Sequence, residues 1–96
     1  MTTYVMAALT ITDPSWIETY GQPVNALVEN HGGRYLAQTP DVRAMEGDDD
    51  APSVIVLLEF PDQAAVEAFY ADPEYKPWLE SRNAGSHGPV LMFDAL

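Results

Sequence analysis

Between Ser53 and Tyr70 the hydrophobic pattern of this chain passes directly from a strand to a helical period, and the rest of the sequence is arranged around that stretch. Residues 53–60 read Ser-Val-Ile-Val-Leu-Leu-Glu-Phe, an apolar run of strand length rich in β-branched residues, which predicts a strand buried on both faces. After Pro61, Asp62 can accept backbone N–H bonds as an N-cap, and Val66, Phe69 and Tyr70 then recur at helical spacing. The stretch therefore predicts a central strand that turns directly into the helix covering it. Alternation along the strand puts Val54, Val56, Leu58 and Phe60 on one face and Ile55, Leu57 and Glu59 on the other.

The flanking segments fit the same plan. Tyr4 to Thr12 alternates cleanly, with Val5, Ala7, Leu9 and Ile11 on one side, and predicts a first strand. Asp13-Pro14 opens a helix whose apolar positions Ile17, Tyr20, Val24, Leu27, Val28 and His31 keep one face; Pro23, two residues after Gly21, is expected to kink it without ending it. Gly32-Gly33 closes that helix. Arg34 to Thr39 predicts a second strand, and Asp41 to Gly47 a third, or a continuation of the second past Thr39-Pro40. Residues 47–52 form a turn. Helix 62–71 follows the central strand, Asp72-Pro73 starts a shorter helix made irregular by Pro77, residues 83–88 read as a loop, and residues 89–95 as the last strand. The order strand, helix, strand, strand, helix, strand predicts an α+β fold, a ferredoxin-like sandwich with an antiparallel sheet and its helices on one face.

That arrangement leaves a face uncovered. Two helical regions in a single domain of 96 residues make one helical layer, while the central strand is apolar on both sides. A second copy packed sheet to sheet is the economical cover, so the expectation is a homodimer. Composition narrows the partners further. Fifteen acidic against four basic residues leave a net charge of −11, which repels a phosphate backbone and argues against nucleic acid as a partner. The absence of cysteine excludes disulfides, thiolate nucleophiles and cysteine-ligated metal centres. No signal-peptide pattern and no run of membrane-spanning length is visible, so the expectation is a cytoplasmic protein with no membrane partner.

Several segments are also familiar as a set. Tyr4-Val5, Thr12-Asp13-Pro14, His31-Gly32-Gly33-Arg34-Tyr35-Leu36, Glu46-Gly47-Asp48, Leu58-Glu59-Phe60-Pro61, and Ala68-Phe69-Tyr70 with Pro73-Glu74-Tyr75 resemble, in order and spacing, the domain-of-unknown-function 1330 family. The resemblance covers nearly the whole chain and implies a dimeric α+β barrel, in which two ferredoxin-like sheets face each other. It implies no activity, since none is general to the family. The sequence departs from the family pattern at Gln38, where arginine is common, and at Asp49, where an aromatic follows the Glu-Gly turn. If those positions line the family's cleft, the pocket here is less cationic and less aromatic.

Candidate chemistry is sparse. Glu59 interrupts an apolar strand, and reads either as a general acid or base with a raised pKa or as a carboxylate near enough to the strand end to reach water or an arginine. His31 can shuttle protons or simply cap its helix, and Arg34 beside it offers a planar fork for a carboxylate. Glu46 either completes an acid–base set or pairs with Arg34 or Arg82. The candidate catalytic set is thus His31, Glu46 and Glu59. Arg34, Tyr35, Tyr70, Tyr75, Trp78 and Arg82 form the candidate binding set, with Tyr20 a further ring that lines a pocket or packs in the core or dimer interface. The run Asp48-Asp49-Asp50 lacks the alternating ligand spacing of a calcium loop, and two histidines give a transition metal little support. No metal and no cofactor is expected. The reading is a small homodimer that binds or converts a small organic molecule by cofactor-free acid/base or oxygenase-type chemistry; the alternative is a non-catalytic dimeric module. A pocket above roughly 300 Å³ with converging polar groups favours the first, and a filled interior with those groups paired favours the second.

Overall fold

A computed structural model describes residues 1–47 and 51–96 of the chain, so the turn at Asp48 and the Asp48-Asp49-Asp50 run lie outside the described residues. The elements are β1 (Thr3–Ile11), a 3-10 turn (Pro14–Trp16), α1 (Ile17–Asn30), β2 (Arg34–Thr39), β3 (Val54–Phe60), α2 (Gln63–Ala71), α3 (Lys76–Gly85), β4 (Ser86–His87) and β5 (Val90–Asp94). The strands pair antiparallel. β1 lies between β3 and the β4–β5 edge, and β2 takes the outside of β3.

The central pairing sets which residues face the helices. Val5 lies opposite Leu58, Ala7 opposite Val56 and Leu9 opposite Val54, so the odd positions of β1 and the even positions of β3 share one face. The core forms on that face: Val5, Leu58 and Phe60 pack against Val24, Leu27 and Val28 of α1, Val66 and Phe69 of α2, and Tyr75 ahead of α3. Helix α2 begins where Asp62 accepts the Ala65 N–H at 2.8 Å. Asp13 caps the turn before α1 through the Ser15 N–H at 2.9 Å, and α1 runs on through Pro23.

The structure corrects four boundaries. Residues 41–47 form no strand: β2 ends at Thr39, the Asp41 N–H turns onto the Thr39 hydroxyl at 3.0 Å, and Pro40 has no N–H to extend a ladder. The cap-plus-proline pair Asp13-Pro14 opens a 3-10 turn before the α-helix begins. Asp72-Pro73 heads a tight turn, with Asp72 Oδ1 accepting from the Glu74 N–H at 2.9 Å; α3 itself starts at Lys76, with Pro77 in its first turn, where proline costs no hydrogen bond. Residues 83–85 continue α3 instead of forming a loop, and Ser86 and His87 then pair with Ile11 and Thr10 of β1.

One register shift matters for the site. β2 carries a bulge between Tyr35 and Ala37, so Tyr35 lies opposite Leu58 and Gln38 opposite Val56, and both point to the helix face. The other sheet face has no helix on it. It presents Tyr4, Met6, Ile55 and Leu57, together with the exposed Leu91 and Phe93 of β5. No helix among the described residues is long and apolar enough to cross a membrane.

Candidate functional site

Between the helix face of the sheet and the helices lies a cavity of ≈370 Å³. Its floor is the apolar face of β1 and β3, from Val5, Ala7 and Leu9 to Val54, Val56 and Leu58. Its roof and walls carry the polar groups: Trp16 and Tyr20 from the first helical segment, Tyr35 and Gln38 from the bulged strand, Tyr70 from α2, Tyr75 from the turn before α3, and Arg82 from α3. The spacing that gathers them is local. Trp16 and Tyr20 are one turn apart, and Tyr75 and Arg82 share a helical face two turns apart.

The aromatic wall is continuous. Phe69 stacks on Tyr75 with ring centroids 4.3 Å apart, and Tyr70 meets Tyr75 edge-on at 5.6 Å. Trp16 meets Tyr20 edge-on at 5.0 Å, while its indole N–H donates to the Gly85 carbonyl at 3.2 Å. The hydroxyls of Tyr20 and Tyr75 lie 3.1 Å apart. Burial raises the pKa of Tyr20, Tyr70 and Tyr75 above the ordinary phenol value, and pushes Tyr35 up to about 12. Arg82 opposes the rise at Tyr20, Tyr70 and Tyr75. It is 6 % exposed, and its Nε is buried with no hydrogen-bond partner among the described residues.

Among the described residues, those that line the cavity include no carboxylate, histidine or lysine. The candidate residues separate accordingly. Tyr35, Tyr70, Tyr75 and Arg82 come together around the cavity. His31 and Asp72 lie outside it, with His31 Nε2 2.8 Å from Asp72 Oδ2 and the imidazole edge-on to Phe69. Glu59 and Arg34 are on the open sheet face, where Arg34 Nε donates to Glu59 Oε1 at 3.2 Å. Glu46 is exposed in the segment after β2. Trp78 packs at the core's edge and lines a separate shallow cleft with Pro23 and Leu27. Among the described residues no group of three or more His, Cys, Asp or Glu side chains converges as a metal site would require. The sequence reading passed over Trp16, whose apolar spacing with Tyr20 was the signal that could have placed it.

Fold and site together define a ferredoxin-like α+β protein with an aromatic-lined internal cavity. The profile described as Domain of unknown function (DUF1330) matches residues 2–96, and the chain belongs to that family. Among solved structures it is similar to a Rhodopseudomonas palustris protein of unknown function, at 17% identity with a TM-score of 0.86, over 99% of this chain and 82% of that one. It is also similar to SnoaB, a cofactor-independent oxygenase from Streptomyces nogalater, at 20% identity with a TM-score of 0.67, over 99% of this chain and 92% of that one. A dimeric ferredoxin-like protein of unknown function from Jannaschia sp. CCS1 matches at 16% identity with a TM-score of 0.63, over 100% and 99% of the two chains. Among curated proteins none matches this chain.

Proposed function

We propose that this protein is a homodimer that binds a small, flat, mainly apolar organic molecule in the cavity between its sheet and its helices. The observation that carries the reading is the cavity: its volume suits a ligand of that kind, its floor is apolar strand, and its roof and walls carry Trp16, four tyrosines and Arg82. The homodimer part rests on the helix-free sheet face, whose apolar strand residues a second copy would shield, and on the dimeric proteins that share the fold.

Binding is favoured over acid–base catalysis by the composition of the lining. A general base must reach the substrate. His31 and Glu59 are engaged elsewhere, with Asp72 and Arg34, and Glu46 is exposed away from the cavity. The binding role therefore stays with Tyr35, Tyr70, Tyr75 and Arg82, gains Tyr20 and loses Arg34 and Trp78, and no catalytic step is assigned to His31, Glu46 or Glu59. A second reading, cofactor-free oxygenation, is favoured by the likeness to SnoaB and needs no base from the protein when the substrate arrives already ionised.

Native mass spectrometry of the freshly purified protein tests both parts. The expected result is the mass of two chains, with a small molecule that is released on denaturation. A single chain with nothing bound overturns the proposal. Oxygen uptake in the presence of ionised aromatic substrates, measured with metal chelator present, separates the oxygenase reading from binding alone.

A further inference from the structure

A buried guanidinium keeps its charge, since its pKa lies far above neutrality. Such a charge is costly in an apolar interior unless a counter-ion or a full set of acceptors surrounds it. Arg82 has neither among the described residues. No carboxylate pairs with it, its Nε has no acceptor, and Tyr70 and Tyr75 offer hydroxyls in place of anionic oxygens. Glu67 lines an outer groove that Arg82 also borders, without forming an ion pair with it. The side chain is held on a helix whose last turn is tied down, Ser86 Oγ donating to the Arg82 carbonyl. It is a cation lining a space whose floor is apolar and whose walls are mostly rings.

From this we infer that the cavity selects an aromatic molecule carrying one anionic oxygen group, a carboxylate or a phenolate, with the Arg82 guanidinium as its counter-ion. The inference deepens the ligand-binding reading and rests on it. An apolar body satisfies the sheet floor and the aromatic wall, and one negative charge neutralises one buried cation. A doubly charged ligand would leave its second charge desolvated with no partner, because Arg82 is the single cationic side chain among the described residues lining the cavity. The lining tyrosines stay protonated at neutral pH and donate to the same oxygen group without competing as anions.

Isothermal titration calorimetry with 2-naphthoate and its neutral isostere 2-naphthamide tests this on the intact protein. The expected result is binding of both, with naphthoate tighter by about tenfold to a hundredfold, the range of a charge-assisted hydrogen bond over a neutral one. In Arg82→Met the preference for naphthoate over naphthamide is lost, and in Arg82→Lys part of that preference survives. Equal binding of the two molecules to the wild-type protein overturns the anion assignment and leaves the cavity reading standing. Binding of neither overturns both. Should Arg82→Met fail to fold, the Nε–H resonance of Arg82 in the wild-type protein decides: a downfield shift with naphthoate and none with naphthamide supports the assignment, and no shift with either overturns it.

Discussion

The tyrosines of the cavity wall do two jobs that can be separated by single-atom changes. Tyr75 is 3 % exposed, stacks on Phe69 and shares a hydroxyl contact with Tyr20. Tyr75→Phe keeps the stack and removes the contact, so the expected loss is about 1 kcal/mol. That is a fall in Tm of roughly 4–8 °C for a domain of this size, read by thermal unfolding. Tyr35 gives a pH signature. Its folded pKa is pushed to about 12 from 10.0, so its contribution is fully present below pH 10.0 and is lost as pH rises through about 12. Stability should therefore fall across that alkaline window, and Tyr35→Phe should flatten the fall, as followed by urea unfolding at a series of pH values. At the acid end the sign reverses. The hydrogen bond from His31 and the Glu74 N–H lower the pKa of Asp72, so its contribution is lost as pH falls through that depressed value.

At the scale of elements, the site depends on how α3 closes against the first helical turn. Gly85 ends α3 beneath Trp16, and its carbonyl accepts from the Trp16 indole and from the Thr12 and Asp13 N–H groups. A Cβ there would run into the Trp16 ring and lie 2.6 Å from the Asp13 carbonyl. Gly85→Ala is therefore expected to cost about 1–3 kcal/mol by overpacking, and to shift the fluorescence of Trp16 in a Trp78→Phe background. The bulge in β2 has an equally local effect. One extra residue turns Gln38 from the open face to the cavity, where plain alternation from Tyr35 would have put Ala37.

For the whole molecule, the controlling feature is the helix-free sheet face. Leu57 sits at its centre, paired with Met6 across β1 and Ala37 across β2. Leu57→Glu is expected to leave the far side of the sheet and its cavity in place while converting the proposed dimer to monomers, as read by sedimentation at micromolar concentration. Net charge acts on a longer range. With a net charge of −11, to which Arg82 at the cavity contributes one of only four opposing cations, an anionic ligand approaches against repulsion. Raising ionic strength from about 0.01 to 0.1 M shortens the Debye length from roughly 30 to 10 Å, so association of naphthoate should speed up with salt. Stopped-flow measurement checks the sign.

The α+β architecture was legible before any coordinate because each prediction rested on local spacing. The apolar run at 53–60, the alternation at 4–12 and the four-residue rhythm from Tyr20 to Val28 each need only their own neighbours to bury a face, and each formed where expected. Residues 41–47 and 83–85 escaped because a strand needs a partner to exist and a helix can run past weak formers once packing holds it. The site was harder to read. Glu59 and His31 stood out as isolated polar residues, yet Arg34 and Asp72, distant in sequence, engage them outside the cavity. Arg82 stood in the candidate binding set from its helical face alone, with nothing in the sequence to show its burial. Only folding buries its side chain to 6 % exposure and leaves its Nε without a partner among the described residues, because the cavity it lines is closed by segments far apart in sequence.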